Sequence, residues 1–386
     1  MAIFSVGEMK RRMDAFCEGL TEREADVALV HTADNVFYMT GVPLLSEWGR
    51  PLWAVFDVEG RSTVIGSYIE KRNMEQNSAT DNVQPYADEE NVVDTSIKFA
   101  TNLIGRHTNV RRIGVERSLL PLELFDKLSA AFPKAEMVEI GDIIAACRII
   151  KSPEEGRILE IGGTIAKIGA TAFLDAIHEN CTELEVAAHA VREMNRAQAA
   201  LFPEGGTSTY AYCHFGEHTL TPHHHPTGRR LRRGEVVALN VFPVIWGYCT
   251  ELERTFIFGE PTREQQRALD AINEAFEAGK EAIGPGVKAA DIDYLTRELL
   301  RQRGYENYIF HGTGHAHGIM IGSAGREELG ELRIYNQTVL RPNMYNSVEP
   351  AVFMEHQAFR HSDVMHITET GARCITEFQR DFTYNG

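Results

Sequence analysis

A chain of 386 residues, 43% of them apolar and 24% charged, is long enough for two domains and can bury a substantial core. Its 55 acidic side chains outnumber 39 basic ones, and the formal charge of −16 repels phosphate backbones, so a nucleic-acid partner is not expected. No stretch approaches the roughly 18 apolar residues of a membrane span, Met1 to Arg12 lacks the basic cap and apolar core of a leader, and the six cysteines are scattered without a C-x-x-C pair. The expectation is a cytoplasmic protein with free thiols and no membrane partner.

An amphipathic helix is predicted over Gly7 to Thr21. Short apolar runs then read as strands: Val27 to Val30, Val36 to Met39, Leu52 to Phe56, Thr63 to Ile65 and Ile113 to Val115. This alternation predicts an α/β domain over residues 1–150. At the break, Lys151-Ser152-Pro153-Glu154-Glu155 combines a Ser N-cap, Pro at the first helical position and a Glu that closes a capping box, so a long helix starts there. Thr182 with Glu185 and Thr262 with Gln265 open two more helices. The second carries Leu269, Ile272 and Phe276 at helical spacing before Gly284-Pro285-Gly286 stops it. Strand runs lie between and after them, so residues 151–386 are expected to form an α+β domain.

The chemistry concentrates in that second half. Val236 to Leu239 and Phe256 to Phe258 flank a Gly247-Tyr248 turn and read as a hairpin carrying Glu251 and Glu253. Two apart on a strand, these acids point to one face, and like charges side by side call for a metal, an Arg or a cationic substrate. Pro222-His223-His224-His225-Pro226 is a loop that its prolines keep from being helical, and one imidazole near the acids would supply a general base or a ligand. His311-Gly312-Thr313-Gly314-His315-Ala316-His317-Gly318 brings imidazoles close to backbone, Ser347-Val348-Glu349-Pro350 ends a strand on a Glu, and Arg360-His361-Ser362-Asp363 says little alone.

Taken in order, Pro222-His223, Asn240 with Glu251-Leu252-Glu253-Arg254-Thr255, Gly314-His315, Ser347-Val348-Glu349-Pro350 and Arg360-x-x-Asp363 resemble the creatinase and prolidase superfamily, whose catalytic domain is the pita-bread fold. In its metal-dependent peptidases two Asp, one His and two Glu bind two divalent ions that activate a shared water. The matching positions are Asn240, Glu251, His315, Glu349 and His361. Asn240 and His361 have lost a carboxylate, which disfavours two hard ions and leaves Glu251, His315, Glu349 and His361 as ligands if one ion binds.

The similarity is greater to the metal-free creatinases of that superfamily, which hydrolyse creatine to sarcosine and urea. Trp48-Gly49-Arg50-Pro51, Leu239-Asn240-Val241-Phe242-Pro243 and Leu252-Glu253-Arg254-Thr255 carry it. The resemblance implies His223 as catalytic base, Glu253 and Glu349 as the acids that grip a guanidinium, and His315 beside them. Arg50 and Arg326 would bind the substrate carboxylate and Trp48 would form an aromatic wall. Glu251 and Cys249 stand where creatinases have Ala and Tyr, so both are substrate-facing departures. No cofactor is implied. A homodimer is, with Trp48 and Arg50 serving the other subunit's site. Ectoine hydrolase, a further relative, offers a cyclic amidinium acid as alternative substrate, and an Xaa-Pro peptidase with a degenerate metal site is the other alternative.

Overall fold

The computed structural model describes residues 3–43, 50–107, 109–206, 208–320 and 328–380. The chain divides into two compact units, Met1–Arg148 with Ile319–Gly325, and Ile149–Gly318 with Arg326–Gly386.

In the first unit the order is α1 (Val6–Glu22), β1 (Val27–Val30), α2 (Ala33–Thr40), β2 (Trp53–Asp57), β3 (Ser62–Ser67), α3 (Lys71–Asn77), β4 (Asn82–Tyr86), α4 (Val92–Ile104), β5 (Arg112–Val115), α5 (Leu122–Ala131), β6 (Glu136–Glu139) and α6 (Gly141–Ile149), the last running into the second unit. The strands form one mixed sheet in the order β4-β3-β2-β1-β5-β6, with β1 antiparallel to β2 and parallel to β5. Val27, Leu29, Val55 and Ile65 of the sheet pack with Ile97 and Ile104 of α4 and Leu124 and Leu128 of α5. The α/β class follows the sequence expectation.

One element does not. Val36 to Met39, expected as a strand, lies inside α2. A four-residue apolar run fits a buried strand or a buried helix turn equally well, and tertiary contacts decide. Here Glu116 decides. Its buried carboxylate accepts from His31 N, Thr32 N, Thr32 Oγ1 and Asn35 Nδ2 at 2.5 to 3.0 Å, which pins the start of α2. Gly41, at φ +78°, then closes it.

Burial alone would raise Glu116, but the His31 imidazole and these donors outweigh it and hold the carboxyl at about 2. A folded value below the ordinary 4.5 contributes stability that is present above 4.5 and lost as the pH falls through about 2. Glu116→Ala is expected to cost on the order of 3 kcal/mol at neutral pH, because several buried donors lose their acceptor. In urea titrations the deficit should shrink towards pH 2. A deficit independent of pH would contradict this account.

The second unit contains α7 (Pro153–Asp175), α8 (Glu183–Leu201), α9 (Arg263–Ala282) and α10 (Ala289–Gln302). Its strands are β7 (Tyr210–Phe215), β8 (Val236–Phe242), β9 (Val244–Ile245), β10 (Tyr248–Cys249), β11 (Leu252–Ile257), β12 (Tyr345–Val348), β13 (Ala351–Phe353), β14 (Ala358–Arg360), β15 (Ser362–Ile367) and β16 (Ala372–Cys374). All three expected capping boxes are present, at Ser152/Glu155, Thr182/Glu185 and Thr262/Gln265. The main sheet runs β12-β15-β11-β8-β7 and its pairs are antiparallel.

The β8–β11 pairing matches the expected hairpin, but the connection is longer than a turn. A second small hairpin, β9–β10, is folded into it, and its two-residue turn is Trp246-Gly247 (φ +50° and +79°) rather than Gly247-Tyr248. Two successive positive φ values are what a tight two-residue hairpin loop demands. All six cysteines are free, and among the described residues no helix is long and apolar enough to cross a membrane.

Candidate active site

Register across the sheet builds the site. Glu253 on β11 pairs with Asn240 on β8 and with Ser362 on β15, and Asn240 pairs with Tyr212 on β7. Directly opposed residues of antiparallel strands share a face, so Tyr212, Asn240, Glu253 and Ser362 form one row. Glu251, two residues ahead of Glu253, faces the same way and accepts from Ser362 Oγ at 2.7 Å. Beyond the sheet edge, the segment Thr313 to His317 runs beside β12: Ser347 N donates to His315 O and His317 N to Tyr345 O, both at 2.8 Å. In this extended segment His315 and His317 point to one side. That side is the acid cluster. Glu349 follows directly on β12.

His315 Nε2 lies 3.4 Å from Glu251 and 3.7 Å from Glu349, His317 Nε2 lies 3.6 Å from Glu251, and His311 Nε2 lies 3.6 Å from Glu349. Arg360 holds Glu253 with two contacts of 2.6 Å and reaches Asn240 Oδ1 at 3.4 Å. Glu251, Glu253, Glu349, His315 and His317 are all buried. Glu349 Oε1 and His317 Nε2 have no hydrogen-bond partner among the described residues.

Burial pushes Glu253 up to about 8; Arg360 pulls against it, and the neighbouring Glu251 and Glu349 add to it. Burial would raise Glu251 too, yet the His315 and His317 imidazoles outweigh it and hold that carboxyl well below the usual range. Desolvation lowers His311, which is partly buried, to about 4. Two carboxylates on adjacent rungs are thus driven apart by what each one touches.

Of the residues expected from sequence, Glu251, Glu253, Glu349 and His315 come together here. His361 does not. Its Nδ1 accepts from Thr255 N at 3.3 Å, its ring packs edge-on to Phe276, and Arg254 and Lys280 stand near it. Alternation along the chain sends His361 to the helix side and gives the site Ser362 instead. Cys249 is buried. Burial first and Glu251 second push its thiol up, and its carbonyl lies 3.2 Å from His317 Nδ1, so it acts by placing an imidazole.

His223 is exposed on its loop. Its neighbour Pro222 lines a small cavity together with Asn240, Thr255 and Arg360, which brings the loop to the margin of the row. Arg50 is exposed in the first unit and paired with Asp88 at 2.7 Å. Trp48 and Arg326 lie outside the described residues. Sequence reasoning missed His317, Arg360 and Ser362 as site residues. The signal for His317 was the His-Ala-His alternation; for Ser362 it was its place on the strand paired with Glu253, and for Arg360 its place two residues before Ser362, at the end of β14. Tyr210 and Tyr212, with Phe242, add an aromatic wall, Tyr210 and Phe242 stacking at 4.6 Å.

The family model for the creatinase/prolidase N-terminal domain matches residues 12–150, and that for metallopeptidase family M24 matches residues 157–369. Over 384 residues the chain is 30% identical to a creatinase of Bacillus sp., covering 97% of this chain and 92% of that one. It is also 25% identical over 376 residues to an Xaa-Pro dipeptidase of Pyrococcus horikoshii, covering 97% and 99%. Among solved structures, the prolidase of Pyrococcus horikoshii OT3 superimposes with a TM-score of 0.81 at 23% identity, covering 96% of this chain and 99% of that one. A prolidase of Thermococcus sibiricus does so with a TM-score of 0.83 at 23% identity, covering 96% and 98%. Architecture, family models and relatives agree: the chain belongs to metallopeptidase family M24, with a creatinase/prolidase N-terminal domain followed by a pita-bread domain.

Proposed function

We propose that this hydrolase cleaves a C–N bond in a small guanidino or amidino acid, with creatine to sarcosine and urea as the first candidate, and without a two-metal centre. The observation that carries the reading is the charge of the row. Three buried carboxyl groups, Glu251, Glu253 and Glu349, stand with one guanidinium, Arg360, among the described residues, and Glu253, raised to about 8, ionises when a planar cationic substrate supplies a second cation. Glu349, whose Oε1 has no donor among the described residues, takes the substrate cation first; Glu253, shared with Arg360, takes it second. Water adds to the guanidinium carbon as His223 accepts its proton. The bond to the sarcosine nitrogen then breaks as His223 returns a proton to that nitrogen. The proposal includes a homodimer in which Arg50 and Trp48 serve the other subunit's site and, with Arg326, set the carboxylate and wall.

The family's two-ion chemistry does not suit these residues. The Asn240 amide is neutral and faces Tyr212 O and Arg360, Ser362 donates to Glu251, and a guanidinium occupies the row. One ion is a different matter. His315 Nδ1 lies 3.1 Å from Ala316 O and His317 Nδ1 lies 3.2 Å from Cys249 O. Donation from Nδ1 to a carbonyl orients each ring with Nε2 towards Glu251, so that loss of the Nε2 proton would free a lone pair for an ion there. Ligand atoms of Glu251, His315 and His317 lie within 4.8 Å of one another, and Glu349 stands beside His315. These four fit a single divalent ion, which when bound would polarise a substrate carbonyl or activate water. That is the second reading, a one-metal peptidase-like enzyme.

Chelator-treated, metal-analysed protein supplied with creatine separates the two. Urea release unchanged by chelation is expected. Turnover that needs a stoichiometric ion, with both ion and activity lost in His317→Ala, would replace the first reading by the second. Ectoine is the next substrate to supply if creatine is inert.

A further inference from the structure

Another buried carboxylate, away from the row, is built into the base of the loop that carries His223. Glu183, the first residue of α8, is 0% exposed. Its Oε1 accepts from Phe215 N at 3.0 Å and faces His218 Nδ1 at 2.9 Å, both on the limb entering the loop. Its Oε2 accepts from Thr227 N at 3.0 Å and Thr227 Oγ1 at 2.7 Å, on the limb leaving it. The exchange is reciprocal. Leu184 N donates to Thr227 O at 3.0 Å and Glu183 N to Arg229 O at 3.2 Å, so two of the N–H groups that a helix start leaves open are satisfied by the returning limb. Between the limbs, His224 N donates to Thr221 O, and His214 Nε2 lies 2.7 Å from His224 O.

One side chain therefore ties both ends of the segment that carries His223, and a loop with fixed ends and a proline on each side of its histidines has few ways to move. We infer that Glu183 is a positioning residue for His223, acting on turnover through the loop without touching substrate. The inference rests on the reading of His223 as the base. A catalytic group displaced by about 1 Å costs roughly a hundredfold in rate, which makes the clamp worth a buried charge.

Glu183→Gln keeps the shape but turns an amide NH2 towards donors. Thr227→Val removes a single hydroxyl and serves if the first variant does not fold. Two readouts are compared in folded protein: the His223 ring signal in NMR, assigned by its loss in His223→Ala, and kcat and KM with creatine. Expected are a displaced or broadened His223 signal and a kcat lowered roughly ten- to a hundredfold in Glu183→Gln with KM within about twofold, and smaller changes in the same direction in Thr227→Val. An unmoved signal, or an unchanged kcat in variants of an active enzyme, overturns the inference. Full turnover by His223→Ala overturns the base assignment and this inference together, whereas loss in His223→Ala alone overturns only the role of Glu183.

Discussion

His223→Ala is expected to lower kcat by roughly a hundred- to ten-thousandfold while leaving KM within a few-fold, the range that a positioned general acid–base supplies. The split follows from where the charges lie. On the proposed reading, affinity for a cationic acid rests on Glu349, Glu251 and Glu253, all buried and standing against His315, Ser362 and Arg360. Removing an imidazole from an exposed loop leaves those contacts in place. His224→Ala is the control, with its side chain exposed on the same loop. If His223→Ala kept its rate and His224→Ala lost it, the base would be His224; if both kept it, the proton would travel by another route.

Arg360→Met should act on stability as much as on turnover. The guanidinium is the partner of Glu253 through two contacts of 2.6 Å, and breaking a buried pair on one side typically costs about 3 to 5 kcal/mol. The sign of the pH dependence follows from Glu253. Its folded value, about 8 against the ordinary 4.5, is raised, so the folded form holds its proton more tightly and stability falls as the pH rises from 4.5 through about 8. Without Arg360 the folded value climbs further, so the variant's deficit should be nearly constant below about pH 7 and grow as the pH rises through and beyond about 8. Adding Glu253→Met should restore most of the loss, because removing both partners of a buried pair is often neutral. Urea unfolding of the single and double variants at two pH values measures all three quantities. A single variant within about 1 kcal/mol of the parent at about pH 9, where Glu253 is charged, would show that Arg360 does not compensate a buried charge.

The helix starts at Ser152, Thr182 and Thr262 were legible because capping is local: the side chain and the backbone it satisfies lie within four residues. Val36 to Met39 was not, since the acceptor that sets its conformation, Glu116, stands more than eighty residues away. The site divides in the same manner. Glu251, Glu253, His315 and Glu349 could be found from spacing and resemblance. Choosing His361 over Ser362 required knowing where β15 begins, for one residue of phase exchanges the helix side for the acid side. Arg360 was invisible as a partner of Glu253 because the pairing of β11 with β15 is a long-range fact.

The row Tyr212–Asn240–Glu253–Ser362 separates two things that proteins usually have to change together. The rungs are held by backbone hydrogen bonds that do not depend on which side chain sits there, whereas the site's electrical charge depends only on the side chains. Asn240 and Ser362, the neutral neighbours of Glu253 on either side, can therefore each be exchanged for an acid with no change in strand register. A sheet of this design can alter the charge of its site in single-residue steps without altering its strand pairing, and with Asn240 and Ser362 the present chain carries a neutral side chain on each side of Glu253.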